Sequence, residues 1–429
     1  MIKRLARSIT ISFLTLVSRA VLRRYRPKVV MVTGSVGKTS TKDAVAAVLA
    51  ARFLVRKSEK SFNSEFGVPF TILGVDNPWS NPVAWLSVVR SAFALLLLPN
   101  HYPNLLVLEV GADKPGDLAS ILKIATPDVV VVTRLPEIPV HVEAYPSPEA
   151  VREEEFSPAY ALAPAAPLIV AAEDLYALEM AARVPAHLTT YGIDRDAGVR
   201  LSDIGFYEEE GRTLGMRAVV HAEGEEGELL IKGSVGETQL LPAAAALATA
   251  AALGISLTEA LTTLVSYEPP AGRGRVFRGK NGSTIIDDSY NASPAAVEEA
   301  LKTLASFPTT GRHIAVLGDM LELGRYSVME HERIGARVAK GVDIFITVGI
   351  RAKGFATAAL ATGMSHEYIF SYDDSRAAAL ALPTLIEPGD VLLVKGSQSI
   401  RTERIIEALL ADPADRAHLV RQEPQWQRR

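Results

Sequence analysis

Val29-Val30-Met31-Val32-Thr33 runs without a break into Gly34-Ser35-Val36-Gly37-Lys38-Thr39-Ser40, and this junction restricts the fold more than any other segment. An uninterrupted apolar strand is one covered on both faces, as in a parallel sheet. The stretch from Asp43 to Ala51 reads as the helix that a glycine loop opens. Such a loop turns backbone N–H groups inward on phosphate oxygens, sends its lysine to the β and γ phosphates, and leaves its threonine hydroxyl to ligate Mg²⁺ at the helix N-terminus. The general pattern has a glycine five residues before Gly37; Val32 stands there, so this is the shorter Thr-Gly-x-x-Gly-Lys-Thr form. A chance glycine turn would lack the flanking strand and helix. Gly34, Ser35, Gly37, Lys38, Thr39 and Ser40 are therefore expected to hold a nucleotide.

The chain has 429 residues, 48% hydrophobic and 22% charged, enough for two or three soluble domains. A net charge of −4 with interspersed signs gives no basic field, which argues for no nucleic-acid partner and for a small or lipid-linked substrate. The absence of cysteine excludes disulfides, thiolate zinc sites and a cysteine nucleophile, and is compatible with a reducing cytoplasm. Residues 1–27 read as a basic amphipathic helix whose most apolar stretch, Ile9 to Val17, is flanked by Lys3, Arg4, Arg7, Arg19, Arg23, Arg24 and Arg26. That stretch is too short to span a bilayer and no small-residue cleavage site follows. Peripheral contact of residues 1–26 with the inner face of the membrane is therefore expected, rather than a removed signal peptide. A second apolar run, residues 83–98, has Trp79 and Trp85 nearby and Arg90 within it; a buried helix and membrane contact are both open readings.

From Val29 to about Tyr267, strand-like runs at Leu105 to Val110, Val129 to Thr133 and Leu168 to Ala172 alternate with helical stretches. This predicts an α/β, doubly wound central domain over residues 28–268. Between Val199 and Lys232, alternating strands broken by Glu-Gly clusters read as a small β-meander insert. The alanine-rich stretch Leu241 to Leu253 reads as a helix ending at Gly254, and Tyr267 to Gly272 as a linker. Strands at Ser283 to Asp287, His313 to Leu317, Ile344 to Val348, Tyr368 to Phe370 and Val391 to Val394, with helices between them, predict a Rossmann-like C-terminal α/β domain over 269–412. Residues 413–429 form a polar tail that is expected to fray.

Five further motifs follow in order: Ser61-Phe62-Asn63-Ser64-Glu65-Phe66-Gly67-Val68-Pro69, Leu108-Glu109-Val110-Gly111-Ala112-Asp113, Asp287-Asp288-Ser289-Tyr290-Asn291-Ala292-Ser293-Pro294, Leu317-Gly318-Asp319-Met320-Leu321-Glu322-Leu323-Gly324 and Val394-Lys395-Gly396-Ser397. With the glycine loop they resemble the Mur ligases over roughly residues 29–411, and most of all the branch that adds D-alanyl-D-alanine to a UDP-MurNAc-tripeptide. The resemblance implies an ATP- and Mg²⁺-dependent amide ligase of peptidoglycan precursor synthesis. The γ-phosphoryl of ATP would pass to a substrate carboxylate, and an incoming amine would attack the acyl phosphate. Nucleophile and γ-phosphate repel one another, so Mg²⁺ and Lys38 have to neutralise them and hold them in line. The expected partners are a UDP-MurNAc-peptide or related precursor and D-Ala-D-Ala, with the chain acting as a monomer.

Residue by residue, the resemblance implies that Glu109, at its strand end, ligates magnesium with Thr39, that His141 serves a second metal, and that Lys38, Glu109, His141 and Glu155 carry catalysis. Fourteen residues beyond the histidine the family has a lysine that becomes carbamylated. Here Glu155 of Glu153-Glu154-Glu155 stands in its place, either supplying the same negative charge or belonging to a solvated charge run. Arg273, with Arg275 as its competitor, is assigned to the nucleotide phosphates. Asp288, Tyr290 and Asn291 are assigned to ATP across the interdomain cleft, against a reading as an Asx turn capping the helix from Pro294. Gln239 falls in the segment near adenine, where Thr238 and Pro242 depart from the family pattern. Asn63, Lys395 and Ser397 are assigned to substrate, with Gln398 where the family usually has arginine. A further N-terminal domain of about one hundred residues normally holds the uridine nucleotide, whereas the loop here begins at Thr33, so unconventional uridine recognition is expected. The alternatives are a ligase for another or lipid-linked acceptor and a catalytically degenerate nucleotide-binding scaffold. Folate polyglutamate ligases fit the Asp288 to Pro294 and Gly318 to Gly324 segments less well, and a precursor-amidating relative would carry a cysteine zinc ribbon.

Overall fold

The computed structural model describes residues 2–59, 62–79, 81–423 and 426, with side chains from Arg7 onward; Ser61 and residues 424, 425 and 427–429 of the expected polar tail lie outside the described residues. The first domain runs α1 (Ile2–Tyr25), β1 (Lys28–Thr33), α2 (Lys38–Leu49), β2 (Val55–Lys57), α3 (Gly67–Leu73), α4 (Pro82–Leu97), β3 (Leu105–Glu109), α5 (Asp117–Leu122), β4 (Val129–Val132), α6 (Pro148–Tyr160), β5 (Pro167–Ala171), α7 (Leu175–Ala181), β6 (His187–Gly192), β7 (Val199–Glu209), β8 (Arg212–Ala222), β9 (Glu225–Lys232), α8 (Glu237–Ala252) and α9 (Leu257–Leu264). The second runs β10 (Arg275–Arg278), β11 (Thr284–Asp288), α10 (Pro294–Ser306), β12 (His313–Gly318), α11 (Ser327–Val338), β13 (Ile344–Val348), α12 (Lys353–Ala361), β14 (Ile369–Tyr372), α13 (Ser375–Ala381), β15 (Val391–Lys395) and α14 (Glu403–Leu409).

Successive side chains of a strand point to opposite faces, and β1 shows what an unbroken apolar run does with that. Val30 and Val32 enter one core with Val45 and Val48 of α2, while Val29 and Met31 enter the other with Leu14 of α1 and Leu106 of β3. The nine-stranded sheet has the order β2-β3-β1-β4-β5-β6-β7-β8-β9, parallel from β2 to β7 and antiparallel from there. The β-meander β7–β9 adds its strands to the edge of the same sheet. The second sheet has the order β10-β11-β15-β12-β13-β14, with only β10 antiparallel. In each sheet the chain leaves a central strand toward one side and returns on the other. The carboxyl ends of the strands at that reversal open a crevice, the place where α/β sheets bind ligands.

Two expectations change in the structure. The N-terminal segment is the basic helix expected, but it is not simply laid on the surface, because Leu14, Val17 and Val21 of α1 are buried in the core beneath β1. Nor are residues 413–423 loose: Leu419, Val420 and Arg421 are buried. The Arg421 guanidinium bonds Glu403 at 2.8 Å and the carbonyls of Ser289 and Tyr290 at 2.6 and 3.1 Å, three partners that composition alone does not reveal. Leu14→Ala is expected to lower the free energy of unfolding by about 2–5 kcal/mol, measured by urea denaturation; a loss near zero would mean that α1 contributes nothing to the core.

Candidate active site

The loop after β1 is shaped by two glycines in left-handed backbone, Gly34 at φ 114° and Gly37 at φ 90°. A side chain on Gly34 would also collide with Thr133, which follows β4, so only glycine lets the loop lie against the neighbouring strand end. Lys38 and Thr39 open α2. The Lys38 ammonium bonds the carbonyl of Gly34 and lies 3.8 Å from the Glu155 carboxylate. Ser40 is buried behind the loop, its carbonyl accepting the Tyr267 hydroxyl at 3.1 Å. The ends of β3 and β4 bring in the next groups. Gly111 comes so close to Asn63 Nδ2 and Lys38 Cε that a Cβ there would lie 3.1 and 3.3 Å from them.

Glu109 ends β3. Its Oε1 accepts the Thr39 hydroxyl at 3.1 Å, whereas Oε2 is buried without a hydrogen-bond partner, 3.8 Å from the Lys42 ammonium. A threonine hydroxyl beside an unsatisfied buried carboxylate oxygen suits Mg²⁺, which takes one or two protein oxygens and completes its shell from phosphate and water. Among the described residues no three His, Asp or Glu side chains are grouped to hold a metal unaided. His141 is instead held across the cleft, with Nδ1 3.0 Å from Glu322 and Nε2 3.5 Å from Asp113.

The run Glu153-Glu154-Glu155 is divided by helix periodicity among three tasks. Glu153 accepts the Tyr160 hydroxyl at the surface, and Glu154 caps α5 by accepting the N–H groups of Gly116 and Leu118. Glu155 is buried and accepts the Ser35 hydroxyl beside Lys38, so it is not part of a solvated charge run. Burial pushes the Glu109 and Glu155 carboxyls up, with Lys42 and Lys38 opposing the shift at Glu109 and Lys38 and Ser35 at Glu155. Two buried carboxylates with incomplete compensation leave the cleft short of positive charge. Burial also disfavours the charged form of His141, but the hydrogen bond and charge of Glu322 outweigh it and hold the imidazole above its ordinary value.

The second domain closes a cleft of about 430 Å³ over these groups, with Tyr290, Asn291, Leu321, Glu322, Ser397 and Gln398 on its far wall. Arg273 also lines it, its guanidinium 4.3 Å above the Tyr290 ring, while Arg275 lies on β10 over Phe277. Lys395 was expected at substrate and Asp288 at ATP, but the two are spent on each other. The Lys395 ammonium, almost wholly buried, bonds Asp288 at 2.6 Å and the Asn291 carbonyl at 3.0 Å, which fixes the loop that carries Tyr290. Ser397 likewise stitches loops together, its hydroxyl accepting Leu321 N–H at 2.9 Å. Gln239 is buried beside Gly274, outside the cleft wall. Asp113 and Glu322 stand in the sequence motifs but were given no role, and Arg421 was not singled out at all, although Glu322 sits in a loop after a strand end, the same position that singled out Glu109.

A glycine loop at the reversal point of one sheet, faced by the strand ends of a second, defines a two-domain nucleotide-binding enzyme of the α/β class. The chain belongs to the Mur ligase family: the family model of the Mur ligase middle domain matches residues 32–250, and that of the Mur ligase, glutamate ligase domain matches residues 272–398. It is 30% identical over 407 residues to the UDP-N-acetylmuramoyl-tripeptide–D-alanyl-D-alanine ligase of Mycobacterium tuberculosis (strain CDC 1551 / Oshkosh), covering 90% of this chain and 73% of that one. To the Bacillus subtilis (strain 168) enzyme of the same name it is 27% identical over 405 residues, covering 94% and 80%. The crystal structure of MurF ligase from Thermotoga maritima in complex with ADP superimposes with a TM-score of 0.74 at 27% identity, covering 93% and 83%. A Mycobacterium tuberculosis folylpolyglutamate synthase, at 15% identity and a TM-score of 0.64 over 92% of this chain and 94% of that one, shares the fold.

Asp287, one residue before the Lys395 partner, offers a test of this loop. Burial raises its carboxyl from 3.8 to about 6, against two hydrogen bonds from Ser289 at 2.5 and 3.0 Å. The folded chain therefore binds this proton more tightly than the unfolded chain. The stability Asp287 contributes is present in full below pH 3.8 and is lost as pH rises through about 6. Asp287→Asn keeps an acceptor but does not ionise, so it is expected to gain on the wild type by up to about 3 kcal/mol between about pH 4 and about pH 7. Urea unfolding at each pH measures the gap, and a pH-independent difference would refute the assignment.

Proposed function

We propose that this protein is an ATP- and Mg²⁺-dependent ligase that joins D-alanyl-D-alanine to a UDP-MurNAc-tripeptide through an acyl phosphate. The observation that carries the reading is the Glu109 carboxylate, bonded by Thr39 on one oxygen and left unsatisfied on the other within reach of the Lys38 loop. The names of the relatives supply the substrates. An acceptor carboxylate oxygen attacks the γ-phosphorus, the bond to the β–γ bridging oxygen breaks, and ADP leaves; the dipeptide amine then attacks the acyl carbon, loses a proton, and phosphate departs. Magnesium, when bound, draws charge from the phosphoryl oxygens.

The protein's own residues do the rest. Lys38 exchanges the Gly34 carbonyl for phosphate oxygens, and Thr39 and Glu109 hold the cation. Glu155, close to Lys38 and Ser35, supplies the fixed negative charge that the family draws from a carbamylated lysine. Arg273 and Tyr290 approach the nucleotide from the linker and the second domain, with Asn291 beside them. The His141–Glu322 contact ties the two walls together, so the site is completed by closure and water is kept from the acyl phosphate.

Purified protein supplied with ATP, Mg²⁺, UDP-MurNAc-tripeptide and D-Ala-D-Ala is expected to release phosphate and to form a product with the mass of the pentapeptide. Lys38→Ala is expected to lower the rate by at least about 100-fold; full activity in that variant, or nucleotide binding without either product, would overturn the reading. Glu109→Gln is expected to raise the Mg²⁺ concentration giving half-maximal phosphate release by at least about tenfold, followed by titrating the metal at saturating ATP.

A further inference from the structure

α4 has two apolar sides and the protein uses one of them. Val88, Ala92 and Leu95 are buried against the first domain, while Val83, Leu86, Phe93 and Leu97 stand 74, 69, 53 and 72% exposed. These four fall on one line along the helix, and Arg90 completes the line at its middle. The outer side of α1 is built alike, with Ile9 at 60% and Leu16 at 70% exposure and Arg23 continuing the seven-residue spacing. The two helices are fastened together at their ends: the Arg24 guanidinium bonds the carbonyls of Leu96 and Leu98 at 2.6 and 3.3 Å, and the Tyr25 hydroxyl bonds that of Leu95 at 2.8 Å.

Charge separates these helices from the rest of the molecule. No aspartate or glutamate precedes Asp43, and none lies between Asp76 and Glu109, although the whole chain carries −4. Both segments are therefore purely basic on an acidic protein, with Arg19, Arg23 and Arg90 exposed. A contiguous apolar surface with a cationic border, on helices that do not span, is the pattern of interfacial binding; α4 is only about 24 Å long, and no described helix is long and apolar enough to cross a membrane.

We infer that the outer faces of α1 and α4 form a docking surface for an anionic lipid bilayer. Leu86, Phe93 and Leu97 enter the acyl boundary while Arg90 and Arg23 meet lipid phosphates. A second copy of the chain fits the same surface poorly, because a twofold contact would set one acid-free arginine face against another and desolvate like charges. The surface is also continuous with a way into the site. Trp79, 64% exposed in the turn before α4, lines with Phe62 and Phe66 a cavity of about 850 Å³ that reaches Thr39 and Arg273. Docking would hold that opening at the level of the lipid headgroups.

The test is co-sedimentation of the full chain with vesicles of phosphatidylcholine alone or with phosphatidylglycerol added. Binding is expected only to the phosphatidylglycerol vesicles and is expected to weaken as salt is raised, since exposed charges are screened. Leu86→Asp with Phe93→Asp is expected to weaken binding by at least about tenfold, with an unchanged melting temperature showing that the fold is intact. Absence of binding to either vesicle would overturn the inference. So would a dimer in light scattering that the same double substitution dissolves, because the face would then belong to a second copy.

Discussion

The contact on which the rest depends is that of the Gly34 backbone with Thr133, at the carboxyl end of two adjacent parallel strands. No side chain fits there, so the loop is pressed into the crevice where the sheet reverses direction. With the loop fixed, Lys38 and Thr39 begin α2 at a set height. Glu109, on the other flanking strand, then meets the threonine hydroxyl, and Ser35 meets Glu155. The core enforces this arrangement from both sides, because β1 is covered on each face and a shift of one residue would turn its whole apolar set over.

The cleft is assembled from charge that neither domain could place alone. On the first domain, burial leaves Glu109 and Glu155 short of compensation. On the second, Lys395 and Asp288 neutralise one another inside the loop, so what reaches the cleft is the aromatic ring of Tyr290, the amide of Asn291 and the carboxylate of Glu322. Anionic substrates and a divalent cation therefore enter a site whose lysines are already engaged, and they have to exchange partners with it.

Much of this was legible in the sequence for physical reasons. Strands buried on both faces, such as β1, β3 and β4, write themselves as unbroken apolar runs, and the glycine loop has few other uses. β6 was not legible, since His187-Leu188-Thr189-Thr190 carries no such run and owes its strand to pairing with β5. β10, just beyond the linker, was not legible because the four residues Arg275-Val276-Phe277-Arg278 are too short a run to declare a strand and owe it to antiparallel pairing with β11. The three tasks of Glu153, Glu154 and Glu155 emerge only when helix periodicity turns each carboxylate in a different direction. The exchange of Lys395 from substrate to scaffold could be seen only once β15 was known to lie beside β11, and the docking of Arg421 only once its carbonyl partners were in place.

That placement of β15 bears on how the protein is made. The strand lies between β11 and β12 yet follows every other strand of its sheet along the chain, so Asp288 waits for Lys395 while 107 further residues are made. The first sheet can close during translation; the second holds an open slot between two finished strands until β15 emerges, and unpaired strand edges are where chains associate wrongly. Parallel pairing across so long a loop is intrinsically slow. A chain truncated shortly before Val391 would keep the nucleotide loop of the first domain and leave β11 and β12 without the strand that joins them.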